Sequence, residues 1–511
     1  MTGNICRTFA SLGLGCAFAL GASAKAPNIV FILADDLDAA AAAQMPLVRE
    51  KITDVGTSFD RHFVSLSLCC PSRVTTLRGQ FAHNTGVFNN GSGGDDTAPT
   101  GGFEYVYTHG LEASTVATWL SAAGYRTAMF GKYLNGYPHL APELYIPPGW
   151  TKWASPVAGD PYKEFNYTLN SNGLAVPYGD KDDEYLTDVI SRKAVRFIED
   201  ALDTPDKPFF MYVAPYAPHI PATPAPRHEH VFDGLTVPHS GAFNEGDVTD
   251  KPHWVSKKPE LTRKQIREMD SLYEHRRESL LAVDEMVRDI VDALDRTGQQ
   301  GTTYVFFASD NGYHQGQHRL LSGKDTAYEE DLLVPLVVRG PGVPHASVTA
   351  MTSNVDYAST FAEIAGAASD PDVNVDGRSL VPFLKGQTPP SWRQALLLEH
   401  KTPNPVQDRR FDKTREPADP FDDDDEPENG IKPFFGLRLA DGRTYVEYTL
   451  NDDCEIYAAG DVAQDFNTCK KGRDDQPALS SWLACLKTLA GDDMRQAELA
   501  PGFCERISGK L

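Results

Sequence analysis

Short apolar runs alternate with longer amphipathic stretches along most of this chain. Five runs have the length and composition of buried strands, at residues 28–34, 126–130, 209–213, 303–309 and 333–338. Four stretches carry apolar residues at helical spacing, at 114–123, 188–203, 263–296 (an internal break stays open) and 356–366. The alternation predicts an α/β fold with a large, mostly parallel central sheet flanked by helices. Pro335 assigns the fifth strand to an edge or a bulge.

Polar side chains follow four of these strands. Asp35 and Asp36 follow the first, Lys132 the second, His219 the third, and Asp310 with Asn311 the fourth. The carboxyl ends of parallel strands meet at one edge of a sheet, which is where α/β proteins bind ligands. The pattern therefore predicts an active site at this edge.

The C-terminal part of the chain has a different pattern. Residues 401–430 are acidic and contain prolines, which favours a mobile loop or linker over a calcium-binding segment. Alternating runs at 432–439 and 443–448 flank Ala440-Asp441-Gly442 and predict a hairpin, and 480–490 has a helical pattern. We expect a catalytic domain at 25–400, a linker at 401–430 and a small α+β domain at 431–511. We find no internal repeat.

The N-terminus has the features of a secretion signal. Arg7 precedes an apolar run at 9–22, and Ala22-Ser23-Ala24 is a small-residue cleavage site, which predicts a signal peptide at 1–24. Gly15-Cys16 leaves lipoprotein processing as the second interpretation. No later run is long enough to predict a membrane span. We therefore expect a periplasmic or secreted protein.

Cysteine usage supports an oxidising compartment. The chain has eight cysteines, and removing the predicted signal leaves six. Four of them lie near the C-terminus (Cys454, Cys469, Cys485 and Cys504) and allow three pairings. We expect sequential pairing, Cys454 with Cys469 and Cys485 with Cys504, with reduced thiols as the alternative.

The charge balance restricts the partners. A formal net charge of −23 argues against nucleic acid and against a long polyanion bound on a basic face. An anionic substrate must instead meet a local cluster of cations, which favours a small or short anion over a long charged chain.

The segment Cys69-Cys70-Pro71-Ser72-Arg73, followed by Leu77 and Gly79, is the most specific motif. Adjacent cysteines make a poor disulfide and lack the spacing of a zinc or redox site. The alternative interpretation is a buried cysteine pair before a helix, because Pro71 suits a first helical turn. Asp35, Asp36, Asp310 and Asn311 supply oxygen ligands that suit a hard cation, calcium foremost.

The motif resembles the sulfatase signature Cys-x-Pro-Ser-Arg-x-x-x-Leu-x-Gly, with Arg78 where many members carry Thr. The resemblance implies an alkaline-phosphatase-like fold and a formylglycine made from Cys69 by a formylglycine-generating enzyme. It also implies one Ca²⁺ per chain, bound by Asp35, Asp36, Asp310, Asn311 and the residue at Cys69. The catalytic residues it implies are Cys69, Arg73, Lys132, His219 and Lys324, with His314 and His318 lining or supporting the pocket.

One branch of that family is most similar. Gly131-Lys132-Tyr133-Leu134-Asn135 resembles the N-acetylglucosamine-6-sulfatases, as do motifs at 147–150, 165–169 and 312–317. The resemblance covers most of 27–400. Leu134 stands where many arylsulfatases carry the His that assists breakdown of the sulfated intermediate, so the sequence names no base for that step.

The resemblance implies hydrolysis of sulfate esters on a sulfated sugar, such as 6-O-sulfated N-acetylglucosamine. In this mechanism a hydroxyl of the hydrated aldehyde attacks sulfur, with Asp310 as proton acceptor. Lys132 and Lys324 stabilise the transferred group, and His219 or Lys324 protonates the departing alcohol. The alternatives are a phosphonate monoester or phosphodiester hydrolase of the same superfamily, and a catalytically inactive extracellular anion-binding protein.

Overall fold

The computed structural model describes residues 26–91, 100–401, 430–449, 453–469 and 476–508. The predicted signal peptide and nearly all of the predicted acidic linker therefore lie outside the described residues. The strands are β1 (Asn28–Ala34), β2 (Thr57–Phe59), β3 (His62–Phe63), β4 (Arg126–Gly131), β5 (Lys152–Gly159), β6 (Tyr167–Ser171), β7 (Leu174–Pro177), β8 (Phe209–Ala214), β9 (Thr303–Ser309), β10 (Leu336–Arg339), β11 (Ala346–Val348), β12 (Thr352–Ser353), β13 (Ala395–His400), β14 (Phe434–Leu439), β15 (Thr444–Tyr448) and β16 (Cys454–Tyr457).

The helices follow in chain order. They are α1 (Ala39–Ala42), α2 (Pro46–Lys51), α3 (Cys69–Arg78), α4 (Ala82–Thr85), α5 (Gly102–Thr108), α6 (Val116–Ala122), α7 (Leu186–Asp200), α8 (His253–Ser256), α9 (Arg263–Arg296), α10 (Glu329–Leu332), α11 (Tyr357–Ala365), α12 (Val381–Leu384), α13 (Gln476–Leu486), α14 (Gly491–Ala497) and α15 (Pro501–Ser508). The predicted helix at 263–296 is one unbroken helix of 34 residues.

A ten-stranded sheet forms the centre of the fold, in the order β11-β2-β10-β9-β1-β8-β4-β5-β6-β7. Its middle strands β9, β1, β8, β4 and β5 run parallel, whereas β10, β6 and β7 pair antiparallel with their neighbours. This arrangement confirms the predicted α/β fold. The predicted strand at 333–338 is shorter than expected, because β10 begins only after Pro335. It is also not an edge strand, since it lies between β2 and β9.

Two apolar layers cover the sheet. Alternate residues of β1 point to opposite faces, as strand geometry requires. Val30 and Ile32 pack with residues of α2, α7 and α9, whereas Ile29, Phe31 and Leu33 pack with residues of α3, α6 and α11. The parallel strands are therefore buried on both faces and deliver their carboxyl ends to one edge.

A second sheet of four antiparallel strands, β13-β14-β15-β16, lies in the C-terminal part. It contains the predicted hairpin as β14 and β15. Its first strand, β13, precedes residues 401–430, so the chain enters this sheet before the acidic segment and not after it. The disulfides are Cys454–Cys469 and Cys485–Cys504, as the sequential pairing predicts. Among the helices described, none is long and apolar enough to cross a membrane.

Candidate active site

Cys69 is the first residue of α3, and its side chain is fully buried. The Lys324 Nζ donates to Cys69 Sγ at 2.9 Å, and Sγ lies 3.3 Å from Asp35 Oδ1 and 3.9 Å from Asp36 Oδ1. The backbone N–H of the next residue, Cys70, donates to Asn90 Oδ1 at 2.9 Å. Cys69 Sγ thus lies at the N-terminal end of a helix, with a lysine on one side and two carboxylates on the other.

Arg73 lies one helical turn after Cys69, on the same face of α3. Its Nε donates to Asp310 Oδ2 at 2.8 Å and its Nη1 to the Lys132 carbonyl at 2.9 Å, while Nη2 lies 3.6 Å from Asp35 Oδ1. The guanidinium is fully buried. Arg73 therefore joins the loops that follow β1, β4 and β9.

The carboxylates come from the adjacent strands β1 and β9. The last residues of these strands, Ala34 and Ser309, are paired, so Asp35, Asp36, Asp310 and Asn311 leave the sheet together. Asp36 has a left-handed backbone (φ 62°), and its N–H donates to Asp310 Oδ1 at 3.2 Å. Asn311 Nδ2 donates to Asp36 Oδ1 at 2.7 Å. The sequence-predicted set thus meets at the carboxyl edge of the sheet.

Lys132 and His219 complete the cluster from β4 and β8. Lys132 Nζ donates to Asp35 Oδ2 at 2.5 Å. His219 Nε2 lies 3.7 Å from Asp36 Oδ2, and Nδ1 donates to the Ile220 carbonyl at 2.7 Å. That bond leaves Nε2 as the nitrogen on the side of the cluster.

Burial and the neighbouring charges have opposite effects on the pKa values of the carboxyl groups in this cluster. Burial alone raises the pKa of Asp35, but Lys132, His219, Arg73 and Lys324 together lower it far below its ordinary value. Burial raises the pKa of Asp310 to about 6, although Arg73 opposes the shift. Burial and the Asp35 charge raise the pKa of the Cys69 thiol. Three carboxylates (Asp35, Asp36, Asp310) balance three cations (Arg73, Lys132, Lys324), so a bound divalent cation would leave the cluster at +2.

The donor set fits a hard cation. Ligand atoms of Asp35, Asp36, Cys69 and His219 all lie within 4.8 Å of one another. Asp36 Oδ2 and Asn311 Oδ1 are buried and find no hydrogen-bond partner among the described residues, which is costly unless another group satisfies them. Asp310 differs, because its Oδ1 accepts two backbone N–H groups and its Oδ2 accepts Arg73. Oxygen atoms of this kind suit calcium or another hard divalent ion.

The other predicted histidines have carboxylate partners. His314 Nδ1 lies 2.9 Å from Asp331 Oδ1, and His318 Nδ1 lies 2.7 Å from Glu245 Oε2. Both rings are buried. These contacts support the loop between Asn311 and Lys324. Leu134, at the position of the absent histidine, is buried in the apolar layer beside α3 and does not replace a base.

Three contributors were not predicted from the sequence. Arg276 on α9 donates to the Asp36 carbonyl at 2.6 Å and to the Pro218 carbonyl at 3.3 Å, and its guanidinium lies 4.1 Å from the centre of the Tyr313 ring. The rings of Tyr162 and Tyr216 lie 5.0 and 5.8 Å from Lys132 Nζ. Helical spacing marks Arg276 only as one of several charged residues on α9, and no motif distinguishes the tyrosines.

Comparison with known proteins agrees with the family resemblance found in the sequence. The sequence profile described as "Sulfatase" matches residues 27–367. The N-acetylglucosamine-6-sulfatase of Homo sapiens is 36% identical over 401 residues, which cover 76% of this chain and 70% of that protein.

Solved structures share the fold at lower identity. One, solved in complex with its substrate D-glucosamine-2-N,6-O-disulfate, has a TM-score of 0.68 at 23% identity and covers 90% of this chain and 97% of its own. The phosphonate monoester hydrolase of Silicibacter pomeroyi has a TM-score of 0.62 at 20% identity, covering 90% and 93%. At these identities the structures establish the fold alone.

Proposed function

The chain belongs to the sulfatase family, and from this premise we propose that it hydrolyses sulfate esters of a sulfated sugar, with Cys69 as the precursor of its nucleophile. The observation that carries the proposal is the placement of Cys69. Its Sγ lies at a helix N-terminus, 2.9 Å from Lys324 Nζ, with Asp35 and Asp36 on its other side. A thiol of raised pKa is a poor nucleophile, whereas an oxygen nucleophile at this position would lie among cations.

Formylglycine would supply the chemistry that the thiol lacks, because a hydrated aldehyde offers one hydroxyl for attack and a second whose oxygen can re-form the carbonyl. Lys324 Nζ lies 2.9 Å from Cys69 Sγ, and Arg73 lies one turn further along α3; we assign both to orienting this residue. Asp310, whose Oδ2 accepts a hydrogen bond from Arg73 Nε, is the proton acceptor in the proposal. Its pKa of about 6 leaves it ionised at neutral pH.

We infer that Asp35, Asp36, Asp310 and Asn311 hold one Ca²⁺, together with the oxygen of the modified residue at Cys69. The unpartnered oxygens of Asp36 and Asn311 support this assignment. A bound Ca²⁺ would supply positive charge and orient oxygen atoms at the site. With it, the cluster would carry the excess positive charge that a sulfate ester anion requires.

Lys132 and Lys324 are proposed to bind the sulfuryl oxygens. Each is buried, and each lies against one of the adjacent carboxylates, Asp35 and Asp36. His219 is proposed to protonate the departing alcohol. When both ring nitrogens carry protons, Nδ1–H remains on the Ile220 carbonyl and Nε2–H is available to the leaving oxygen. Lys324 is the other donor within reach of the residue at position 69.

The substrate we propose is a 6-O-sulfated glucosamine unit in a mono- or oligosaccharide. The relative from Homo sapiens is named for sulfate at that position, and the resemblance at 131–135 points to the same branch. The two disulfides support a periplasmic or secreted location, since such bonds persist outside the cytosol.

The test combines modification and turnover on one preparation from a host that makes formylglycine. Mass spectrometry of the peptide carrying Cys69 should show replacement of the thiol by an aldehyde. Sulfate release should then be measured with Ca²⁺ present on N-acetylglucosamine 6-sulfate, isomers sulfated elsewhere on the ring, an aryl sulfate and a phosphodiester. Preferred turnover of the 6-sulfate supports the proposal. Dominant phosphodiester cleavage, or an unmodified Cys69, overturns it.

A further inference from the structure

A cavity of about 470 Å³ opens between α7 and the strands β5 and β6, on the face of the sheet that α7 partly covers. Its position follows from the width of the sheet. Helix α7 packs over β4 and β8, whereas β5 and β6 continue the sheet beyond it. Where β5 and β6 extend past the helix, they form one wall of this cavity, which is open to solvent and is called the groove below.

The groove carries a concentration of positive charge on an acidic protein. Four cations line it (Lys152, Arg192, Lys193 and Arg196), against one carboxylate, Asp200. Arg196 Nε lies 3.5 Å from Asp200 Oδ1. Within the part of the chain that the structure covers, Lys152, Arg192 and Lys193 form no ion pair with a carboxylate. Arg192 donates instead to the Asp183 carbonyl. For a chain of net charge −23, these three cations in one groove are an unusual concentration of positive charge.

Lys193 shows most clearly that positive charge in the groove lacks a negative partner within the described ranges. It is half-buried, and its Nζ has a hydroxyl, Ser171 Oγ, at 3.5 Å. Burial, together with the neighbouring charge of Arg192, lowers the pKa of Lys193. An anion between Lys193 and Arg192 would relieve both unfavourable effects at once.

The floor of the groove is aromatic. Phe130, Tyr178 and Phe197 line it, together with Val189 and Ala154. Trp153 reaches the groove only with its backbone, because its ring packs on Tyr133 and Tyr137 at the opposite face of the sheet. An aromatic floor below a rim of cations suits a ligand with an apolar ring face and charged substituents. A sulfated sugar ring has both features, since its C–H face packs on aromatic rings and its sulfates pair with lysine and arginine.

The groove is separate from the candidate active site. Lys152 pairs with Ala128 on β4, four residues before Lys132, and Ala154 pairs with Phe130. The groove therefore lies along the face of the sheet, below the carboxyl edge at which the cluster around Cys69 is formed. None of its lining residues belongs to that cluster.

We propose that this groove is a second binding site for sulfated saccharides, formed by Lys152, Arg192, Lys193 and Arg196. The proposal deepens the function proposed above, from which it takes the class of ligand. It explains how a strongly acidic protein can retain a sulfated oligosaccharide while its active site binds one sulfated unit. Repulsion by the rest of the surface would otherwise oppose binding of such a polyanion.

Direct binding tests the groove without turnover. The protein is the full chain carrying Cys69→Ala, and the probe is a highly sulfated heparin tetrasaccharide, titrated calorimetrically at low salt. We expect two sites per chain. The pair Arg192→Gln/Lys193→Gln should remove one site or weaken it at least tenfold, and binding to the groove should weaken further at high salt. The pair Lys264→Gln/Arg267→Gln, exposed on α9, removes the same charge elsewhere and should leave both sites intact.

Two outcomes overturn the proposal. One is a single site that the groove variant leaves unchanged. The other is equal affinity of the groove for glucosamine 6-phosphate and glucosamine 6-sulfate, which would make it a general anion site. Turnover separates this proposal from the previous one. If the enzyme is active and the inactive variant binds the tetrasaccharide at one site, only the groove proposal is wrong. If there are two binding sites but no sulfate ester is hydrolysed, only the proposed activity is wrong.

Discussion

Two adjacent buried cysteines have different surroundings at the residue scale. Cys69 Sγ contacts Lys324 and faces the carboxylates, whereas Cys70 packs into the apolar layer between α3 and the central sheet. Burial, with the charge of Glu104, raises the pKa of Cys70 far above its ordinary value. The motif alone assigns the first cysteine by resemblance, and the contacts give a physical reason for the same choice.

Cys69→Ala should fold and lose turnover by roughly 10⁴-fold or more, the scale on which removal of a nucleophile acts. Cys70→Ala is the matched control. It should retain most of the turnover at a stability cost of about 1 kcal/mol, because it removes one buried sulfur. Sulfate release and thermal unfolding of both variants check this, and the reverse pattern of activity would mean that Cys70 is the modified residue.

At the scale of secondary-structure elements, the site residues that could be predicted from the sequence are those at the ends of strands. Asp35, Lys132, His219 and Asp310 follow apolar strands, and a parallel sheet necessarily brings such residues to one edge. Arg276 could not be predicted in this way. On a 34-residue amphipathic helix it is equivalent to Arg277 in sequence, and only the packing of α9 against three loops distinguishes the two. Contacts between residues this far apart in sequence are not encoded in local pattern.

Arg276 should position the calcium ligands, because one guanidinium contacts the carbonyls of Asp36 and Pro218. Arg276→Lys keeps the positive charge but cannot donate to both carbonyls at once, as the planar guanidinium does. We therefore expect Ca²⁺ to bind about tenfold more weakly, which is the usual effect of removing a group that hydrogen-bonds to a metal-ligating residue. The increase of the melting temperature with Ca²⁺ concentration measures this affinity without turnover. Arg277→Lys, whose guanidinium contacts Gln44 and Tyr273, is the control. Equal Ca²⁺ affinity in the two variants would contradict the assignment.

The first turn of α7 depends on a buried carboxyl group. Glu164 Oε2 accepts from Thr187 N at 2.8 Å and Thr187 Oγ1 at 2.9 Å, and burial raises the pKa of Glu164 to about 8. The folded protein keeps the proton that the unfolded chain loses above about pH 4.5. This contribution to stability is therefore complete below that pH and lost as the pH rises through 8.

Glu164→Gln should remove this pH dependence, since glutamine remains neutral and still offers an oxygen to Thr187. We expect the variant to melt about 2 to 5 °C above the parent at pH 9, with little difference at pH 5. Thermal unfolding at pH 5, 7 and 9 checks the trend. Glu199→Gln, exposed on the same helix, is the control and should melt at the same temperature as the parent at each pH. If the melting temperature of Glu164→Gln falls with rising pH as steeply as that of the parent, the assignment to Glu164 is wrong.

The two sheets are joined by a buried network at the scale of the whole molecule. Arg393 donates to both oxygens of Asp356, beside α11, at 2.8 Å, and to Glu498, after α14, at 2.8 Å. The Arg393 charge helps to lower the pKa of Asp356 despite its burial, while burial raises the pKa of Glu498. The bidentate pair with Asp356 is the stronger of the two contacts, because both carboxylate oxygens accept from the guanidinium. The network ties the C-terminal helices to the central sheet.

Arg393→Met should destabilise the protein by about 3 to 5 kcal/mol, because it leaves two buried carboxyl groups without their cation. Urea denaturation followed by intrinsic fluorescence measures the loss. Arg443→Met breaks an exposed pair with Asp441 and should change stability by no more than about 0.5 kcal/mol. Similar midpoints for the two variants would show that the network is not stabilising.

The β13–β14 ladder has a consequence for how the polypeptide can be divided. Six residue pairs join a strand before residues 401–430 to a strand after them, and a shared apolar cluster and the Arg393–Glu498 bond lie on the same interface. The protein cut within that segment should therefore remain a two-piece complex, with the larger piece carrying every residue assigned to catalysis. Produced separately, the pieces should complement each other, and the smaller piece would then serve as a switchable subunit of a split enzyme.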